Sequence, residues 1–230
     1  MLKVLDPDWP HEPFPDSDAA LDEPNGLLAV GGCLSVERLA SAYRSGIFPW
    51  YSEGEPILWW SPSPRWVLVP GCVKISRSLR QRIKREDFSI THDLAFDQVI
   101  MACAEPRPGQ NGTWINEEMQ EAYIKLHHAG YAHSFECWRE GQLVGGLYGI
   151  AIGSCFFGES MFRRETDASK VAFVTACQKL ESWGYGLIDC QVHTDHLESL
   201  GARPIDREAF LREIQELCLR QPAVTAWEGG

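Results

Sequence analysis

Hydrophobic positions recur along this chain with two different spacings, and the change from one to the other organises it. Ser35 stands before Val36, Leu39, Ala40 and Tyr43, an i, i+3, i+4, i+7 stripe followed by Gly46, which predicts a capped amphipathic helix. Residues 74–85 carry Ile75, Leu79 and Ile83 on one side and six bases without an acid on the rest, predicting a helix with an apolar and a basic face. Asp93 is placed to cap a helix bearing Phe96, Val99, Ile100 and Cys103, and Asn116 to cap one bearing Met119, Ala122, Tyr123 and Leu126 before Gly130. From Ala132 the period shortens. Strands are predicted over 134–139, 143–152 and 155–162, joined by turns at Glu140-Gly141 and Gly153-Ser154, as an antiparallel meander. A long helix over 168–183, a short strand over 187–191, a brief helix near 195–200 and a terminal amphipathic helix over 207–219 follow, so the fold class is α+β.

Residues 1–70 hold ten of the 14 prolines, and residues 1–60 carry ten acids against three bases, which marks a loop-rich acidic segment. The run Ser61-Pro62-Ser63-Pro64 predicts an extended connector, because a residue before proline is pushed out of the helical region. The boundary falls there, giving a Pro/Trp-rich N-terminal α+β domain over 1–64 and a second domain over 65–230. Across 230 residues, 44% hydrophobic content excludes disorder, and a net charge of −11 excludes an indiscriminate nucleic-acid binder, so any such contact has to be local. The basic stripe of 74–85 is that local place: Arg77, Arg80, Arg82, Lys84 and Arg85 can hold several phosphates. Eight cysteines with no C-x-x-C pair and no matched Cys/His cluster indicate neither structural zinc nor a disulfide scaffold. No apolar run reaches the ~20 residues that span a bilayer, and the first residues lack the apolar core of a signal peptide, so a cytoplasmic protein is expected.

Two segments place polar groups on apolar strands. In Leu187-Ile188-Asp189-Cys190-Gln191, alternation puts Asp189 and Gln191 on one face, either opening on a cleft at the strand's end or forming a buried structural pair. In Phe156-Phe157-Gly158-Glu159-Ser160-Met161-Phe162, alternation puts Glu159 with Phe157 and Met161; such an acid faces a cleft, meets a partner, or lies on an exposed edge. Trp50, Trp59, Trp60, Trp66 and Trp114 are candidates either for base stacking or for the core. The sequence has no G-x-S-x-G, Walker loop, H-E-x-x-H or dinucleotide glycine fingerprint. The helix at 168 follows Arg163-Arg164-Glu165-Thr166-Asp167, where acyl-CoA N-acyltransferases of the same element order use a glycine turn to cradle pyrophosphate.

An ordered series of runs then carries a resemblance over residues 14 to about 211: Phe14-Pro15-Asp16; Gly26-Leu27-Leu28-Ala29-Val30-Gly31-Gly32; Tyr43-Arg44-Ser45-Gly46-Ile47-Phe48-Pro49-Trp50; Trp59-Trp60-Ser61-Pro62; Gly112-Thr113-Trp114-Ile115; Ala132-His133-Ser134; Leu143-Val144-Gly145-Gly146-Leu147-Tyr148-Gly149; Gly158-Glu159-Ser160-Met161-Phe162; Ala168-Ser169-Lys170; and 187–191 with Leu200-Gly201-Ala202. Together they resemble leucyl/phenylalanyl-tRNA–protein transferases. The resemblance implies a bacterial cytoplasmic enzyme, expected to be a monomer. It would move Leu or Phe, and also Met, from aminoacyl-tRNA to proteins with N-terminal Arg or Lys and so mark them for degradation. It also implies a small N-terminal domain before an acetyltransferase-like (GNAT-like) domain without the CoA loop, and no metal, nucleotide or organic cofactor.

By position, the resemblance makes Asp189 and Gln191 the catalytic pair, Glu159 an acid at the pocket edge, and Leu147, Phe156 and Phe173 the aminoacyl side-chain pocket. Trp50, Trp114 and Tyr123 match aromatics around the terminal aminoacyl-adenosine. Arg77, Lys84 and Arg85 match a tRNA-contacting helix, with Arg80 and Arg82 as helpers. Thr194 departs from the Asn found there in many members, so a hydroxyl stands for an amide. The implied chemistry is aminolysis of an ester, with Asp189 as base and Gln191 orienting it, or with the proton passing through water or the tRNA ribose hydroxyl. Glu159 and Asp189 also suit a cationic acceptor side chain. An acyl-CoA N-acetyltransferase and a non-catalytic tRNA- or peptide-binding module are the competing readings.

Overall fold

The computed structural model describes residues 2–106 and 113–228, so Gly112 of the Gly-Thr-Trp-Ile run lies outside the described residues. The first 60 residues build a four-stranded sheet from β1 (Lys3–Leu5), β2 (Leu27–Gly31), β3 (Phe48–Pro49) and β4 (Leu58–Trp60) in the order β1-β2-β4-β3. Between β2 and β3 runs α1 (Val36–Arg44), begun by Ser35, whose hydroxyl accepts the Arg38 N–H at 3.2 Å. Gly46 follows its end at φ 70, and a Cβ there would lie within 2.7–2.9 Å of Leu211 and Phe210. Glycine is therefore required both for the backbone and for the approach of the terminal helix.

From residue 65 onward the chain forms β5 (Arg65–Leu68), α2 (Arg77–Ile83), β6 (Ser89–His92), α3 (Phe96–Ala104), α4 (Glu117–His128), β7 (Ala132–Arg139), β8 (Gln142–Ile152), β9 (Cys155–Arg163), α5 (Ala168–Ser182), β10 (Leu187–Gln191), α6 (Asp195–Ser199), β11 (Arg203–Ile205) and α7 (Arg207–Leu217). The seven strands make one sheet in the order β11-β5-β10-β9-β8-β7-β6. The β7-β8-β9 meander is antiparallel, while β10 returns after α5 to lie parallel to β9. That meander–helix–parallel-strand order, with no glycine before α5 and Asp167 in the left-handed conformation at its start, is the α+β, GNAT-like scaffold without a CoA cradle.

Each face of the sheet carries its own core. Phe96, Tyr123, Tyr148 and Phe157 pack with Tyr43, Phe48 and Trp59, so one cluster runs on into the N-terminal sheet. Phe135, Leu147, Phe156, Phe173 and Leu180 form the other beneath α5. Burial of such side chains contributes about 1.5–3 kcal/mol each. Five of the eight cysteines are buried and all are free thiols. Among the described residues no helix is long and apolar enough to cross a membrane.

Several local expectations change. The basic helix is shorter than 74–85 because Ser76 takes the cap, its hydroxyl accepting the Leu79 N–H at 3.2 Å. Asp93 does not cap α3: at φ 55 it accepts the Ser134 N–H at 2.9 Å and meets His133 Nδ1 at 2.6 Å, fastening the end of β6 to β7.

Candidate active site

The site lies where two neighbouring strands stop running regularly. β9 and β10 pair in parallel from Leu187 with Cys155 to Asp189 with Phe157. Immediately beyond, both bulge. On β9, Gly158 pairs with Gly149 and Ser160 with Tyr148, leaving Glu159 as the extra residue. On β10, Asp189 pairs with Val67 and Gln191 with Trp66, leaving Cys190 extra and Gln191 at φ 63. A bulge bends its strand and re-aims the side chains that follow. A cavity of about 970 Å³ opens at the fork.

Simple alternation holds on β10, where Ile188 and Cys190 enter the second core while Asp189 and Gln191 keep to the opposite face, and it holds only in part on β9. On β9 the bulge splits the predicted trio: Met161 packs against the second core, while Phe157 enters the first, on the same side as Glu159. The half-buried Glu159 carboxylate lines the cavity and accepts hydrogen bonds from Tyr43 Oη at 2.7 Å, Tyr123 Oη at 3.1 Å and Gln191 Nε2 at 2.7 Å. Burial pushes its pKa up to about 8, and these three donors oppose that rise. The two phenols also touch each other, and burial holds both protonated far above neutral pH.

Asp189 borders the cavity beside Gln191 but is not a free base. Its carboxylate is fully buried: Oδ1 accepts Arg65 Nε–H at 2.8 Å and Oδ2 accepts Arg65 Nη2–H at 2.7 Å. Oδ1 also accepts the Gln191 backbone N–H at 2.8 Å. Both oxygens are engaged, so the expected base is the counter-ion of a buried arginine. Gln191 alone of the pair turns its side chain to Glu159. Arg65 and Tyr43 are the residues sequence reasoning missed; Tyr43 read as one more apolar helix position, and nothing local marks Arg65.

The remaining candidates divide between cavity wall and support. Leu147, Phe156 and Phe173 line the cavity, and Phe156 is backed by the Trp227 ring at 6.1 Å. Trp50 and Trp114 also line it; Trp50 is 48% exposed, which leaves its ring free for stacking beside Trp60 at 5.9 Å. Thr194 lines it too, while its hydroxyl caps α6 by accepting the Leu197 N–H at 3.1 Å. Tyr123 does not line the cavity: it is fully buried behind Glu159, to whose carboxylate its hydroxyl donates.

Arg77 and Arg80 on α2, with Lys84 and Arg85 just beyond its end, are exposed and make no ion pair among the described residues. Arg82 is corrected as well: its guanidinium is bound by Asp87 and covers the Phe88 ring at 4.0 Å, which removes its charge from the stripe.

A chamber walled by Leu147, Phe156 and Phe173 that ends at the Glu159–Gln191 pair is a site suited to a group transferase. The family model described as leucyl/phenylalanyl-tRNA protein transferase matches residues 67–215, and the model for that family's N-terminal domain matches residues 32–63. Leucyl/phenylalanyl-tRNA–protein transferases of Methylococcus capsulatus and Nitrosomonas europaea are 56% and 61% identical over 228 and 217 residues. Those alignments cover 99% and 94% of this chain, and 97% and 91% of the relatives. Among solved structures, L-PGS from Bacillus licheniformis matches 69% of this chain and 51% of its own, at 13% identity and a TM-score of 0.41. A GCN5-related N-acetyltransferase from Kribbella flavida matches 69% and 56%, at 12% identity and a TM-score of 0.38. The chain belongs to the leucyl/phenylalanyl-tRNA–protein transferase family and is an aminoacyltransferase.

Proposed function

We propose that this enzyme moves Leu, Phe or Met from aminoacyl-tRNA to the α-amine of proteins beginning with Arg or Lys, acting as a cytoplasmic monomer of two domains, 1–64 and 65–230, without a cofactor. The observation that carries this reading is the juxtaposition, in one cavity, of an apolar pocket with the Glu159–Gln191 pair. Leu147, Phe156 and Phe173 receive the aminoacyl side chain, and Trp50 and Trp114 stack the terminal adenosine. In its ionised form Glu159 also draws the acceptor's cationic end into the site. In the reaction the acceptor amine attacks the ester carbonyl, the C–N bond forms, the C–O bond to the ribose breaks, and the proton leaving nitrogen ends on the ribose oxygen. Gln191 is a neutral amide with negligible basicity, and Asp189 is held by Arg65. Glu159, with its pKa near 8, is the group suited to take that proton and return it.

Incubation of the purified protein with labelled Leu-tRNA or Phe-tRNA and a peptide beginning with Arg should move the label to the peptide without CoA or ATP. Absence of transfer by folded protein would overturn the reading, and acetylation of the peptide from acetyl-CoA would replace it. The pocket walls also set an order among donors. A β-branched side chain puts a methyl at the mouth, where overpacking costs ~1–3 kcal/mol, so Ile-tRNA and Val-tRNA should react roughly tenfold or more slowly than Leu-tRNA. Equal single-turnover rates for Ile-tRNA and Leu-tRNA would remove the shape argument.

A further inference from the structure

Arg65 is 1% exposed and Asp189 is fully buried, a degree of desolvation that a pair kept only for stability does not require, since apolar replacements of such pairs are often as stable. The guanidinium lies between two rings, 4.8 Å from the centre of Phe48 on β3 and 4.6 Å from that of Phe210 on α7. Its Nη1 makes no hydrogen bond among the described residues, so its position is fixed by these rings and by the fork of Nε and Nη2 on the carboxylate. The N-terminal sheet, the terminal helix and β10 thus converge on one side chain. The carboxylate it holds accepts the N–H of Gln191, at the residue whose left-handed backbone directs its side chain to Glu159.

We infer that Arg65 is the positioning residue of this site: clamped between Phe48 and Phe210, it fixes Asp189, which fixes the β10 bulge and so aims the Gln191 amide at Glu159. Asp189 then serves catalysis as the link between Arg65 and Gln191. The inference rests on the transfer reaction proposed above. It adds that the N-terminal sheet shapes the transfer site directly, through Phe48.

Arg65→Lys and the double variant Arg65→Met with Asp189→Leu test it together. Lysine supplies a point charge in place of the fork and cannot hold both carboxylate oxygens, while the double variant replaces the pair by apolar groups. Single-turnover transfer should fall at least tenfold in both, with the Kd for aminoacyl-tRNA within twofold and the double variant's melting temperature near that of the wild type. A second readout separates aiming from mere folding. Glu159 is faced by Tyr43 from α1, Tyr123 from α4, Tyr148 from β8, and Asp189 and Gln191 from β10. Among these the Gln191 amide favours the ionised acid, so in Arg65→Lys, where Asp189 is retained, the rising limb of the rate against pH should move to higher pH. Wild-type rates and an unmoved pH limb in Arg65→Lys would overturn the inference, as would a folded double variant that transfers at the wild-type rate. Absence of transfer by the wild type would instead overturn the reaction itself.

Discussion

Glu159→Gln should lower single-turnover transfer about 10²- to 10⁴-fold, the range that a positioned acid–base group commonly supplies, while changing the affinity for aminoacyl-tRNA little. Glutamine keeps the size of the side chain and retains an acceptor oxygen for Tyr43 or Gln191, so the loss would report the proton and not the packing. The pH dependence gives a second reading. The acceptor α-amine titrates near ~8 in any variant and contributes one rising limb common to both proteins. Ionisation of Glu159, with its pKa also about 8, adds a further rise in the wild type that Glu159→Gln lacks. Coincident profiles and rates would assign Glu159 to charge recognition alone.

The same acid makes a stability statement of definite sign. Its folded pKa of about 8 lies above the ordinary value of 4.5, so between those values the folded state holds a proton that the unfolded chain has released. Stability from this group is therefore present in full below pH 4.5 and is lost as pH rises towards and through 8. Each tenfold difference in proton affinity is worth about 1.4 kcal/mol. The wild type should consequently lose melting temperature relative to Glu159→Gln across that window and run parallel to it above about pH 9.

Much of the scaffold was legible because its signals are local. Ser35 and Asn116 cap their helices as their spacing predicts, and the alternation of 134–162 with its two glycine-containing turns gives the β7-β8-β9 meander nearly to the residue. Strands of two to four residues such as β3, β4 and β11 carry too little pattern to be seen, and they exist only through their neighbours. The site failed to read correctly for a related reason. Alternation places Ile188 and Cys190 in one core as expected, but the bulge at Glu159 sends Met161 to the core opposite Phe157, and no pattern of faces says what a polar side chain meets. The partner that changes the meaning of Asp189 lies 124 positions away in the chain, beyond any local spacing rule. Arg82 likewise reads as one more base in a stripe until Asp87, just after the helix, takes its charge.

Replacing Lys84 and Arg85 by Ala should weaken tRNA binding about a hundredfold at 0.1 M salt, because each phosphate contact releases close to one counterion. The two side chains are exposed beyond the last turn of α2, alongside Arg77 and Arg80, in a protein of net charge −11, so their field is local and steep. Contacts to phosphate carry no base information, so Leu and Phe carriers should lose affinity equally. The slope of log K against log salt should flatten by roughly one unit for each lost contact. Arg82→Ala is the control that the ion pair provides. It removes the Asp87 contact and the cover of Phe88, so it should lower the melting temperature and leave the salt slope unchanged. A minimal aminoacyl-adenosine has no acceptor stem to reach this helix, and its reaction should proceed at the wild-type rate in the Lys84/Arg85 double variant. If that reaction fell as far as the reaction with tRNA, the two charges would be supporting the site itself, and α2 would lose its role as the tRNA contact.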